Sequence, residues 1–242
     1  MGQAAQRTRF FANTALVMLV MVLSAFPFTY FQPALAGSRP FTPLYHIHGM
    51  LFFAWIGLYA WQTQLVAAGR SARHRELGLA GIAISAMMLP LGIALADRAI
   101  RRRMAAHDPH PFDFTIYNMV DIATFTLLMV AGIAAVTRHV AWHRRFVFGA
   151  ALCLVGPAIS RWFLPPWFIT LPAAPPLTDM APNLIADLFL IALALHDRRS
   201  LGRVHPATWL VAVLLVPLHI AEPFLASSLA WREVAPQLLA LG

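Results

Sequence analysis

The sequence predicts an all-α membrane protein, a bundle of seven transmembrane helices, and three observations carry that reading. Apolar runs of about twenty residues recur along the chain, the length a helix needs to cross ~30 Å of hydrocarbon. Of the 242 residues 60% are hydrophobic and only 12% charged, and the mean hydropathy of +0.67 is not that of a soluble domain. The period-two alternation that a membrane β-barrel requires is absent.

The first span is read at 11–31, preceded by Arg7 and Arg9. Ala34-Leu35-Ala36 behind it also fits a signal-peptide cleavage site, but the apolar run is longer than a signal core. Residues 1–36 are therefore read as a retained anchor helix ahead of a six-helix transmembrane domain over 37–242. Span two, 44–68, opens on His46-Ile-His48-Gly49 and carries Trp55 and Gln62. Span three, 78–100, ends in the arginine cluster Arg98–Arg103. Asn118, Asp121 and Thr124 lie in span four (114–136), and Cys153 and Arg161 in span five (146–164). Asn183 and Asp187 lie in span six (181–197), and His219 and Glu222 in span seven (207–227). Between spans five and six, residues 164–182 hold six prolines, including Pro165-Pro166-Trp167-Phe168 and Pro175-Pro176, so no regular helix is expected there. Its aromatic residues favour the headgroup region, where the loop would cover what lies beneath.

All eighteen basic residues are arginine, in a chain of net charge +8. They sit in short loops between apolar runs, where they orient the protein and meet lipid phosphates. The bilayer is the partner this implies, and nucleic acid is not. Eleven arginines fall at the N-terminus and in the turns after spans two, four and six, which places the N-terminus in the cytoplasm and the C-terminus outside; the Arg98–Arg103 group is the offence against the rule. The single cysteine, Cys153, is read as a small packing residue.

Spans two to seven read as three diverged hairpins, each closing through a basic turn: Gly69-Arg-Ser-Ala-Arg-His74, Arg138-His-Val-Ala-Trp-His143 and Gly202-Arg-Val-His205. Asp113…Asn118-x-x-Asp121 echoes Asp179…Asn183-x-x-x-Asp187. The histidines near those turns, His74, His139, His143, His196 and His205, are read as solvated interfacial residues.

The remaining ionisable groups converge in depth. At 1.5 Å of rise per residue, Asp121 and Asp187 lie ~10 Å below the outer boundary, with His48 slightly shallower. His219 and Glu222 reach that level on one face of span seven, and His46 points away from His48. A charge at such depth costs ~2.5–3.5 kcal/mol even on the lenient insertion scale, so the group calls for a partner, an ion or water. Two imidazoles with two or three carboxylates form the ligand set of zinc or another divalent metal: His48, His219, Asp121, Asp187 and Glu222, with the acids completing or activating the site. Such a metal suits hydrolysis of a lipid-like substrate. Two other readings stand beside it. One is a haem- or quinone-interacting redox subunit using His46 or His48 with His219. The other is a proton-coupled transporter or sensor whose carriers are Asp121 and Asp187.

The motifs His46-Ile-His48-Gly49, Gly69-Arg70, His74-Arg75-x-Leu77-Gly78, His143-Arg144-Arg145-Phe146, Ile159-Ser160-Arg161, Asp187-Leu188 and Gly202-Arg203-Val204-His205-Pro206-Ala207-Thr208, with Trp55 and Gln62 between them, resemble those of a group of uncharacterised bacterial polytopic inner-membrane proteins. The resemblance covers spans two to seven and implies a location in the bacterial inner membrane. A fainter likeness is to the seven-helix membrane hydrolases of the alkaline ceramidase and progestin and adiponectin receptor type, which implies zinc held between helices. The chain departs from that pattern in carrying His219-x-x-Glu222 in span seven, where those proteins place two histidines four apart, and in having its acid on span four.

Overall fold

The computed structural model describes residues 3–38, 40–164 and 177–239. Seven helices among them are long and apolar enough to cross a membrane. Helix α1 (Gln3–Ser24) continues through a π-helical turn at Pro27–Phe31 and a last turn at Gln32–Leu35, making Thr8–Leu35 one span. Six spans follow: α2 (Pro43–Ala67), α3 (Ser71–Ala105), α4 (Thr115–Ala135), α5 (Val140–Ile159, prolonged by a 3-10 turn at Ser160–Phe163), α6 (Leu177–Leu201) and α7 (Pro206–Ala226). A short helix the sequence did not announce, α8 (Leu229–Leu239), comes next. The prolines between 165 and 176, including Pro165-Pro166-Trp167-Phe168 and Pro175-Pro176, lie outside the described residues, as does Arg39.

Helix α5 is the centre. It packs against α1, α4, α6 and α7, and its run Phe148 to Gly156 is wholly buried. That helix is rich in small residues for a physical reason: lipid is as apolar as leucine, so helices gain by close approach of backbones. A Cβ on Gly149 would sit 2.6 Å from Val211 Cγ1 of α7, and one on Gly132 of α4 would sit 3.0 Å from Val147 Cγ2 of α5. The outward faces are apolar in turn, with Leu127, Val130, Leu188, Ile191 and Val213 exposed where acyl chains would lie. Helix α1 is part of this packing: Ala15, Met18 and Val22 are fully buried, and Gln64 Nε2 of α2 donates to the Ala12 carbonyl at 3.1 Å.

Helices α2 and α3, α4 and α5, and α6 and α7 lie side by side as three hairpins. Two of the three basic turns close through a glycine in the left-handed region, Gly69 (φ 75°) and Gly202 (φ 73°), which a side chain would strain. Of the five histidines at this end His139 is exposed, as expected of a solvated ring, whereas His74, His143, His196 and His205 are half-buried against neighbours. His143 Nδ1 donates to the Gly132 carbonyl at 2.9 Å, and the His196 ring stacks on Phe10 with centroids 4.1 Å apart.

His205 caps α7: its Nδ1 accepts the Ala207 N–H at 3.1 Å, just ahead of Pro206 in the first helical position. Burial lowers its pKa from 6.5; Arg145, Arg144 and Arg203 push the same way, and Asp197 opposes them. The cap needs the neutral ring. Its contribution is therefore full above the ordinary imidazole pKa and is lost as pH falls through the depressed folded value. His205→Ala should cost about 1 kcal/mol at neutral pH. Melting curves from about pH 8 to about pH 5 check this, since the wild type should lose its advantage over the variant at the acid end. A difference that stays constant across the range would refute the cap.

Candidate functional site

The buried polar layer lies at the end of the bundle opposite the basic turns, and α6 and α7 build most of it. Asp187 and His219 meet across these helices, with both Asp187 oxygens 3.0 Å from His219 Nδ1. A carboxylate accepts, so Nδ1 carries the proton and any further partner must use Nε2. One turn along α7, Glu222 faces α6 again: Asn183 Nδ2 donates to Glu222 Oε2 at 3.0 Å. All four side chains are at least nine-tenths buried, and Glu222 is 0% exposed.

Local sequence explains the spacing. His219 and Glu222 are three apart on α7, as Asn183 and Asp187 are four apart on α6, so each helix turns two polar groups to the same seam. Pro217 and Pro223 bracket the α7 pair and remove two backbone donors from that stretch of helix. On the third side, α5 presents Gly156 directly to Asn183, and only a glycine leaves room for that amide. Asp121 of α4 is close enough to Glu222 for their charges to interact, and Cys153 of α5 feels Asp121, Glu222 and Asp187 together. Two acceptors at this level lack a partner among the described residues, Glu222 Oε1 and Asn118 Oδ1.

The five residues expected to share a metal are not gathered into one group. Asp187, His219, Glu222 and Asp121 form the layer, whereas His48 stands apart. Its Nδ1 is buried without a partner among the described residues, its ring lies 6.0 Å from Phe52, and Arg161 is near enough for its charge to act on the ring. His46 turns the other way, to the Tyr30 hydroxyl at 2.5 Å. Among the described residues no three of His, Cys, Asp and Glu stand close enough to hold a metal ion. Arg161, a candidate neutraliser of Asp187 or Glu222, instead donates to the Pro157 carbonyl and lies 4.6 Å over the Phe26 ring.

Two polar assemblies were not foreseen. At the basic-turn end Arg145 pairs with Asp197 and Thr208 in full burial. At the opposite end Arg232 of α8 clasps Asp113 (3.0 and 2.6 Å), and Trp231 Nε1 donates to the Phe112 carbonyl at 3.0 Å. Their partners are 52 and 119 residues apart, so sequence spacing signalled neither pairing. No family model, curated protein or solved structure matches the chain.

Proposed function

We propose that this protein handles protons within its membrane, as a proton-coupled transporter or a sensor built on the same relay, with Asp187, His219, Glu222 and Asp121 as the proton-carrying groups. The observation that carries the reading is the buried Asp187–His219 pair one turn from a second buried carboxylate with a free oxygen, Glu222 Oε1. An imidazole held against one acid and close to another gives a proton alternative resting places without a permanent charge in hydrocarbon. With the N-terminus in the cytoplasm, the layer sits in the outer leaflet and takes its proton from outside.

A metal hydrolase is the weaker reading for a geometric reason. Asp187 faces the N–H of His219, Asn183 presents an N–H to one oxygen of Glu222, and His48 is elsewhere, so among the described residues these groups do not converge on one point where a cation would have to sit.

Reconstituted vesicles under an imposed pH gradient test the proposal through a lumenal pH dye. The wild type should carry a proton flux that a chelator leaves intact, and Asp187→Asn and Glu222→Gln should each lower it at least about tenfold while the protein stays folded. Flux absent from the wild type, or unchanged in both variants, sinks the proposal. So does a stoichiometric metal that leaves with His219→Ala.

A further inference from the structure

A second site lies at the basic-turn end. Helices α2, α3, α4 and α5 enclose a cavity of about 490 Å³, and it shares no residue with the acid–histidine layer. Along α4 the cavity residues Met129 and Ile133 lie eight and twelve residues beyond Asp121 of the layer, or ~12 and ~18 Å by helical rise, so the cavity lies toward the basic-turn end. The volume falls in the range of ligand pockets, ~300–1,000 Å³.

Its wall has a definite chemistry. Trp55 and Tyr59 stack at 5.6 Å with planes 11° apart, giving one flat aromatic side. Tyr59 and Gln62 are at least nine-tenths buried, yet the Tyr59 hydroxyl and both ends of the Gln62 amide have no hydrogen-bond partner among the described residues. The half-buried His74 ring stands beside the Gln62 backbone at the same wall. His74 and His143 bring their rings within 6.4 Å, and because His143 Nδ1 donates to Gly132, its Nε2 is the nitrogen left to accept. Two buried side chains left short of partners in one wall are costly in an apolar medium, about 1–3 kcal/mol for each orphaned group, and the open space beside them is this cavity.

The mouth indicates how a ligand arrives. Leu79 is 72% exposed, and Val136 and Ile82 are 42% and 40% exposed, so the rim is apolar and faces the acyl chains. Among the described residues no carboxylate lines the cavity, whereas Arg75 does, which disfavours a cationic amine and favours acceptor oxygens. A ligand matching these features is membrane-dissolved, has a planar ring to lie along Trp55 and Tyr59, carries oxygens for their polar neighbours and trails an apolar tail through the rim.

The geometry points to a binding site for a quinone-class lipid between α2, α3, α4 and α5, with Tyr59, Gln62 and His143 holding the head group. A quinone carbonyl accepts from the Tyr59 hydroxyl or Gln62 Nε2. The hydroxyl of the quinol donates to Gln62 Oε1 or His143 Nε2. The site thus receives both forms.

Decylubiquinone titrated into the purified full chain in detergent tests this through tryptophan fluorescence. Quenching should saturate, and Trp55→Phe should remove part of it. Tyr59→Phe and Gln62→Leu should each weaken binding about tenfold. Gly78→Leu should abolish it: Gly78 lines the cavity and a Cβ there meets nothing within 4 Å, so a larger side chain enters the open space without a clash at its base. Its melting transition, unchanged from wild type, shows that the fold is intact. Quenching that rises linearly and equally in Gly78→Leu and Gln62→Leu is partition into the micelle and overturns the assignment. A phospholipid that copurifies in the cavity and is not displaced by decylubiquinone overturns it as well.

Discussion

Replacing Arg145 with methionine should destabilise the protein by about 3–5 kcal/mol, the cost of leaving a buried charge without its partner. Arg145 is 1% exposed and Asp197 0%. The guanidinium gives Nε to Asp197 Oδ2 and to Thr208 Oγ1, both at 3.1 Å, gives Nη2 to Asp197 Oδ1, and gives Nη1 to the Ala141 carbonyl at 2.8 Å. Asp197 is further held by the Thr208 hydroxyl at 2.6 Å and the His205 backbone N–H at 3.1 Å. One ion pair thus fastens α5 to α6, to the turn after it and to the start of α7. The methionine variant keeps most of the volume and removes every donor. The double variant Arg145→Met/Asp197→Leu should recover much of the loss, because with both charges gone no uncompensated group remains. Unfolding midpoints of the two single variants and the double in one detergent decide it. A single variant as stable as wild type would show that water reaches Asp197.

That ion pair also marks how far hydropathy can be read. The seven spans are legible because bilayer thickness sets their length, and α4 at Thr115–Ala135 departs by one residue at each end from the 114–136 expected. Helix α3 departs further, running over Ser71–Ala105 where 78–100 was expected. Arg73, His74 and Arg75 at one end and Arg101, Arg102 and Arg103 at the other look like loop to a hydropathy reading, yet the helix continues through them. Depth was equally legible, and it placed Asp121, Asp187, His219 and Glu222 in one layer. Depth says nothing about which helices are neighbours. His48 shares the expected level but sits on α2, which faces α1 and α3, whereas the acids gather where α4, α6 and α7 converge on α5. The Arg145–Asp197 pair was hidden for the same reason, since both residues read as ordinary charges of basic turns until the packing of α5 on α6 brings them together.

Gly156→Ala carries the second large effect, and it separates packing from function. A Cβ there would overlap Asn183 Oδ1 and lie 3.0 Å from its Cγ and 3.6 Å from its Cα. The Asn183 amide would have to rotate away, and with it goes the donor to Glu222 Oε2, on a carboxylate whose Oε1 already lacks a partner. Overpacking and a second orphaned acceptor each cost about 1–3 kcal/mol, so a loss of about 2–6 kcal/mol is expected. Gly149→Ala is the control. It meets Val211 at 2.6 Å and Leu128 at 3.2 Å, apolar atoms only, and should destabilise without touching the acid layer. Proton flux per folded molecule should therefore fall in Gly156→Ala and hold in Gly149→Ala. Adding Asn183→Ala to Gly156→Ala removes the overlap, and should restore the overpacking part of the stability but none of the flux, because Glu222 still lacks its amide. If Gly156→Ala melts with the wild type, α5 and α6 have slack at this level, and the amide that orders Glu222 is not fixed by their contact.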